Sequence, residues 1–286
     1  MMRLKGKIAA AAIATALAGL VLASAAAANT RKAIGEFAQF NNCSFEAPAV
    51  ENCLYSEFIE GTLKLGAKSV PIVNPITLEG GFTGEPPVFF AADNGQTLSK
   101  TPQPVPGDPI AVAPLAWWPE WVKEYFEEQT GKGLTKVTVT MELAKPASAI
   151  GLSLESMLLE EGTGLGLPVK FKLSNAILGS NCYLESSPPI QLELTTDTSG
   201  SLTGSAGEFF LNPEATIAGL KGLKLVDNVF EAPAASGCGG ILSEYFDPLV
   251  DSIFGLPAGS GESHVSLQGR LEVATSKDVD AHSVHP

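Results

Sequence analysis

The sequence predicts a mainly β protein, an antiparallel β-sandwich or flattened barrel carrying two or three short helices. Many short segments alternate apolar and polar residues, glycine and proline recur between them, and only two stretches show a sustained helical period. A chain of 286 residues can bury a core without help from metal or disulfide, and all-β units of this size commonly form one domain. The expected domain runs from 29 to 276.

Along the chain, Asn29–Ala38 reads as an arm leading to a cysteine loop. Leu54–Leu65 is a strand with imperfect alternation, Phe58, Thr62 and Lys64 being set against Leu63 and Leu65. Val70–Phe82 is β-branched but holds Pro71 and Pro75. Proline cannot donate to a ladder, so an edge strand or two short strands around a bend is expected. Val88–Ala92 is a further strand, closed by an Asp93-Asn94-Gly95 turn. Thr101–Pro114 contains Pro102, Pro104, Pro106, Pro109 and Pro114 and is a stiff connector.

A helix over Trp118–Gln129 follows, with Pro119 in its first turn and Gly131 past its end. Trp118, Trp121, Val122, Tyr125 and Phe126 then share one face. Lys136–Leu143, Val169–Leu173 and Ile190–Leu194 alternate as strands, with a short helix over Ser153–Glu160. Ile217–Val229 is leucine-rich but interrupted by glycines. From Leu242 to Phe254 the apolar residues fall at steps of three and four. This predicts a helix broken at Pro248, with Asp247 capping a second segment that ends at Gly255. Val265–Val273 is the last strand, and 277–286 a flexible polar tail.

Residues 1–28 read as a cleavable signal peptide. Arg3, Lys5 and Lys7 precede the apolar run Ile8–Leu22, and small residues from Ser24 to Ala28 suit a cut after Ala28. The run is rich in alanine and short, which disfavours an uncleaved anchor, so no transmembrane segment is expected after cleavage. Removal takes the 18 basic residues to 15 against 31 acids, a net charge of −16. That repels nucleic acid and anionic headgroups. Cys43, Cys53, Cys182 and Cys238 are an even number in an exported chain, which favours two disulfides. Three pairings are possible, and spacing makes Cys43–Cys53 with Cys182–Cys238 the economical one. A zinc site is the rival use, but no Cys-x-x-Cys pair is present.

Catalytic patterns are sparse. A Ser/His/Asp device would rest on His264, since His282 and His285 lie in the expected tail, and no Gly-x-Ser-x-Gly elbow supplies a nucleophile. Asp197-Thr198-Ser199-Gly200 has no second copy to form a carboxylate dyad and reads as a hairpin turn. Gly162-Thr163-Gly164-Leu165-Gly166 lacks the following helix that a phosphate cradle needs. Glu124, Glu127 and Glu128, and Glu155, Glu160 and Glu161, read as solvated helix faces rather than acid pairs. No cofactor or metal is implied.

Trp117, Trp118 and Trp121 are the whole tryptophan content and fall within five residues. Exposed, they form a platform for a sugar ring or a membrane wedge; buried, they dock a helix on the sheet. The breadth of the apolar face leads us to expect Trp118 and Trp121 to be buried.

Several segments carry a resemblance: Asn41-Asn42-Cys43 with Cys53, Val70-Pro71-Ile72 running to Gly80-Gly81-Phe82, Leu178-Gly179-Ser180-Asn181-Cys182-Tyr183, and Val226-Asp227-Asn228 with Cys238. With these the chain resembles a group of secreted, β-rich actinobacterial proteins to which no activity is assigned. The resemblance implies export and two disulfides. The expected role is that of a secreted or cell-envelope-associated, non-catalytic binding or structural protein, with a glycan or other cell-surface partner. The alternatives are a hydrolase with an unrecognised carboxylate pair and a carrier of an apolar ligand.

Overall fold

A computed structural model describes residues 31–84 and 86–285; the expected signal peptide, 1–28, lies outside them. In chain order the elements are β1 (Lys32–Ala33), β2 (Asn52–Leu65), β3 (Lys68–Pro71), β4 (Ile76–Thr83), β5 (Val88–Ala91), β6 (Gln103–Pro104) and α1 (Glu120–Gly131). Then come β7 (Thr138–Leu143), β8 (Gly151–Leu152), α2 (Leu154–Leu159), β9 (Leu165–Asn175), β10 (Gly179–Leu184), β11 (Ile190–Leu194), β12 (Thr198–Ser199) and β13 (Leu202–Thr203). The last are β14 (Glu208–Leu211), β15 (Ile217–Asp227), β16 (Ala235–Ser236), α3 (Ser243–Phe254), β17 (His264–Thr275), α4 (Ser276–Ala281) and β18 (Ser283–Val284).

Two seven-stranded antiparallel sheets carry the fold, and among the described residues neither closes into a barrel. The first runs β14-β15-β17-β2-β4-β5, with β3 also on β2; the second runs β16-β10-β9-β7-β6, with β8 and β11 also on β9. Leu54, Phe58, Leu225 and Leu267 of the first and Val139, Phe171, Leu173 and Leu192 of the second lie in one continuous apolar core. Reciprocal main-chain bonds between Thr195 and Val226 (3.0 and 2.9 Å) join the sheets at one edge.

The imperfect alternation of β2 has a local cause. Phe58 pairs with Gly269 and Glu60 with Gln268, so Ile59 is left over as a bulge. Leu54, Ser56 and Phe58 face inward before it, Leu63 and Leu65 after it. A Cβ on Gly61 would stand 2.0 Å from the Ser266 carbonyl oxygen, and one on Gly269 1.9 Å from that of Glu57, so the crossing admits glycine alone. The leucines of β15 shift phase in the same way, from 220 to 223 and 225, about Gly222.

Two expectations are corrected. Helix α3 runs unbroken through Pro248: the bond that proline forfeits belongs to the exposed Glu244 carbonyl. Asp247 caps nothing; its carboxylate accepts the N–H groups of Cys238 (2.7 Å) and Gly237 (3.3 Å). Residues 277–284 of the expected tail belong to α4 and β18. Thr275 Oγ1 accepts the Asp278 N–H at 3.1 Å, Val279 is fully buried, and β18 pairs with β1. Arg31 closes the same corner on Asp280 (2.6 Å).

Both expected disulfides are formed, Cys43–Cys53 and Cys182–Cys238, and no free cysteine is left. The first lies in a small second core with Phe37, Phe40, Phe45 and Val279. The second ties β10 to the loop after β16. Loop entropy assigns about 3 and about 4 kcal/mol to these closures. Double Cys→Ala variants followed by denaturant unfolding should therefore rank loss of Cys182–Cys238 above loss of Cys43–Cys53; the reverse order would contradict an entropic origin.

Candidate functional site

The three tryptophans part company. The helix begins at Glu120 rather than Trp118, so Trp117 and Trp118 belong to the turn before it, where the Trp118 N–H donates to Leu115 (3.0 Å). Trp118 is 3% exposed and meets Phe126 and Phe246 edge-on, each at 5.4 Å between ring centroids. Trp117 and Trp121 are 57% and 55% exposed. The expectation of burial therefore holds for Trp118 and fails for Trp121. The physical reason is angular: Val122 and Phe126 form the buried stripe of α1, and Trp121 and Tyr125 sit a residue, or about 100°, to one side.

Tyr245, on α3, gathers the exposed rings. It stacks with Trp117 (5.7 Å, 30°) and meets Trp121 edge-on (6.2 Å, 81°). Tyr125 is also exposed, and so is Ile241, four residues before Tyr245. A hydrogen bond to Glu244 raises the Tyr245 phenol above its ordinary value, as does its nearby charge. Glu120 and Glu124 add carboxylates on α1. Flat apolar rings bordered by acceptors suit the C–H face of a pyranose and its hydroxyls. They suit an anionic bilayer poorly. Sequence periodicity could not join Tyr245 to the site, because its partners Trp117 and Trp121 lie more than a hundred residues away, in α1 and the turn before it.

The other constellations are occupied by structural work. His264 lies opposite Lys64 in the β17–β2 register, and burial together with that lysine lowers its imidazole. A triad histidine needs a carboxylate in that place. Asp227 is fully buried and accepts the N–H groups of Glu193 (2.7 Å) and Val229 (2.9 Å). Asp251 accepts that of Ala235 (2.7 Å). Burial raises Asp227, Asp247 and Asp251 above the usual carboxylate range. Asp197–Gly200 belongs to a hairpin, as expected: Thr198 and Ser199 form β12, and Gly200 opens the turn to β13. An apolar hollow of about 100 Å³ between α2 and β14 is well below the size of a ligand pocket. Among the described residues no group of three or more His, Cys, Asp and Glu is placed to hold a metal ion. No described helix is long and apolar enough to cross a membrane.

Comparison with protein-family models, curated proteins and solved structures yields no match.

Two measurements follow. Trp118→Ala should cost about 3–5 kcal/mol, the usual range for emptying a core aromatic, whereas Trp121→Ala should stay within about 0.5 kcal/mol of the parent. Equal losses in thermal unfolding would contradict the division. For these three aspartates, a folded pKa above the unfolded one means the native state holds extra protons. The stability they give is full below the ordinary carboxylate value and is lost as pH rises through their folded values. The midpoint of the parent relative to Asp227→Asn should therefore rise as pH is lowered from about 7 to the ordinary carboxylate value of about 4; a relative midpoint that falls over that range contradicts this.

Proposed function

We propose that this chain is an exported, non-catalytic binding module of the cell envelope or its surroundings, and that it holds a neutral glycan on Trp117, Trp121 and Tyr245. The observation that carries the reading is the exposure of two indoles against a third ring on a second helix. Exposed large aromatics are costly to keep in water and rarely cluster without a partner. The two disulfides agree with an oxidising, extracytoplasmic location. The acidic charge argues for an uncharged polymer over nucleic acid or anionic lipid. Kinship with secreted actinobacterial proteins would place that glycan in their cell wall.

The aromatic rings supply stacking area with little rotamer entropy to lose, while Glu124 and Glu244 stand ready to accept sugar hydroxyls. Depletion from solution by purified cell-wall polysaccharide and by neutral glycans reads the binding directly. The parent should be retained on at least one of them, and Trp117→Ala/Trp121→Ala should weaken retention tenfold or more at an unchanged thermal midpoint. Equal retention of parent and double variant, or retention of neither, would overturn the assignment.

A further inference from the structure

A second surface has no role in that reading. Strand β14 is the end of the first sheet, and nothing in its sequence guards the edge: Glu208-Phe209-Phe210-Leu211 contains no lysine, no proline and no bulge. Natural sheets rarely leave such an edge open. Phe209 and Leu211 point to the inner face, opposite Leu220 and Ala218, yet each is 53% exposed. Leu158 and Leu159 of α2 are exposed as well, and Leu158 lines a hollow with Phe209.

The backbone shows what the edge can accept. The Asn212 N–H donates to the Ile217 carbonyl (2.9 Å), which continues the β14–β15 register. Antiparallel pairs alternate, so the main-chain groups of Phe210 and Glu208 turn toward β15 and those of Phe209 and Leu211 turn outward. We propose that β14 pairs antiparallel with β14 of a second copy of this chain, about a twofold axis through Phe210.

The register follows from the faces. Residues directly opposite in a ladder share a face, so the axis passes at a residue. About Phe210, Phe209 meets Leu211 of the second copy in both directions. The outward N–H and C=O groups of these residues then complete four bonds, and four apolar side chains form one inner surface. Glu208 falls opposite Asn212, so no like charges meet. An axis through Phe209 would instead require the Gly207 N–H, which already donates to Ser205 Oγ (3.1 Å). A second copy suits this edge because the strand is its own complement; a foreign strand would have to reproduce that pattern.

The contact is short, so the dimer belongs to the weakly associating class. Each copy is strongly acidic, −13 over the whole sequence and −16 without the expected signal peptide, and salt screens that repulsion without touching backbone bonds or apolar contact. Sedimentation of the exported chain from about 5 µM to about 1 mM should show a monomer–dimer equilibrium that tightens between about 0.05 M and about 0.5 M NaCl. Phe209→Lys should raise the dissociation constant tenfold or more at an unchanged thermal midpoint, and Trp121→Ala should leave it alone. Phe210→Cys tests the register even where the lysine variant folds poorly. A non-hydrogen-bonded pair stands about 4.5 Å apart at Cα, within disulfide reach, so mild oxidation should give a covalent dimer. Sedimentation as a monomer throughout, a dimer indifferent to Phe209→Lys, or failure of Phe210→Cys to cross-link would overturn the proposal.

Discussion

Apolar residues from two sheets share one core, and that core needs a lid where α1 and α3 cross it. Trp118 supplies the fastening: its ring packs edge-on against Phe126 of one helix and Phe246 of the other, which also meet each other at 6.1 Å. Its Nε1–H finds no acceptor among the described residues, a cost of about 1–3 kcal/mol that the aromatic contacts and the buried area must exceed. Once Trp118 is seated, the turn before α1 and the first turn of α3 have fixed places. Trp117 and Trp121 then stay at the surface, with Tyr245 half-buried between them and the core. The exposed platform is the outer side of a buried joint, and this rigidity is what a binding face requires.

The same economy governs the carboxylates. Asp227 at the end of β15 and Asp247 and Asp251 on α3 each face main-chain N–H groups of neighbouring segments. A carboxylate satisfies two such donors at once, which apolar side chains cannot do. The result is a set of aspartates that resemble catalytic acids in their raised pKa but spend their oxygens on backbone. Perturbed titration alone would have singled them out as a site; their partners assign them to architecture.

The fold class was legible because alternation survives wherever a strand is regular. Ile190–Leu194 coincides with β11, and both disulfides follow from spacing. Where reading faltered, a single residue had displaced the period. Ile59 in β2 and Gly222 in β15 each insert one position, so inward residues change parity midway. The tail misled because its polar residues hide a cap at Thr275 and one buried Val279, too few apolar positions to register as a pattern. The candidate site was legible in half. Clustering of tryptophans marked the place, but five neighbouring apolar residues span more of a helix than one sheet can cover. Which of them face water depends on α3, and no local window contains that information.

Oxidative footprinting resolved by tandem mass spectrometry tests the central claim, since it scores each indole separately in the folded chain. Trp117 and Trp121 should oxidise at rates close to those of the unfolded protein, while Trp118 stays protected until the fold melts. Protection of Trp121 equal to that of Trp118, or oxidation of Trp118 as fast as its neighbours, would contradict both the buried joint and the platform built on it.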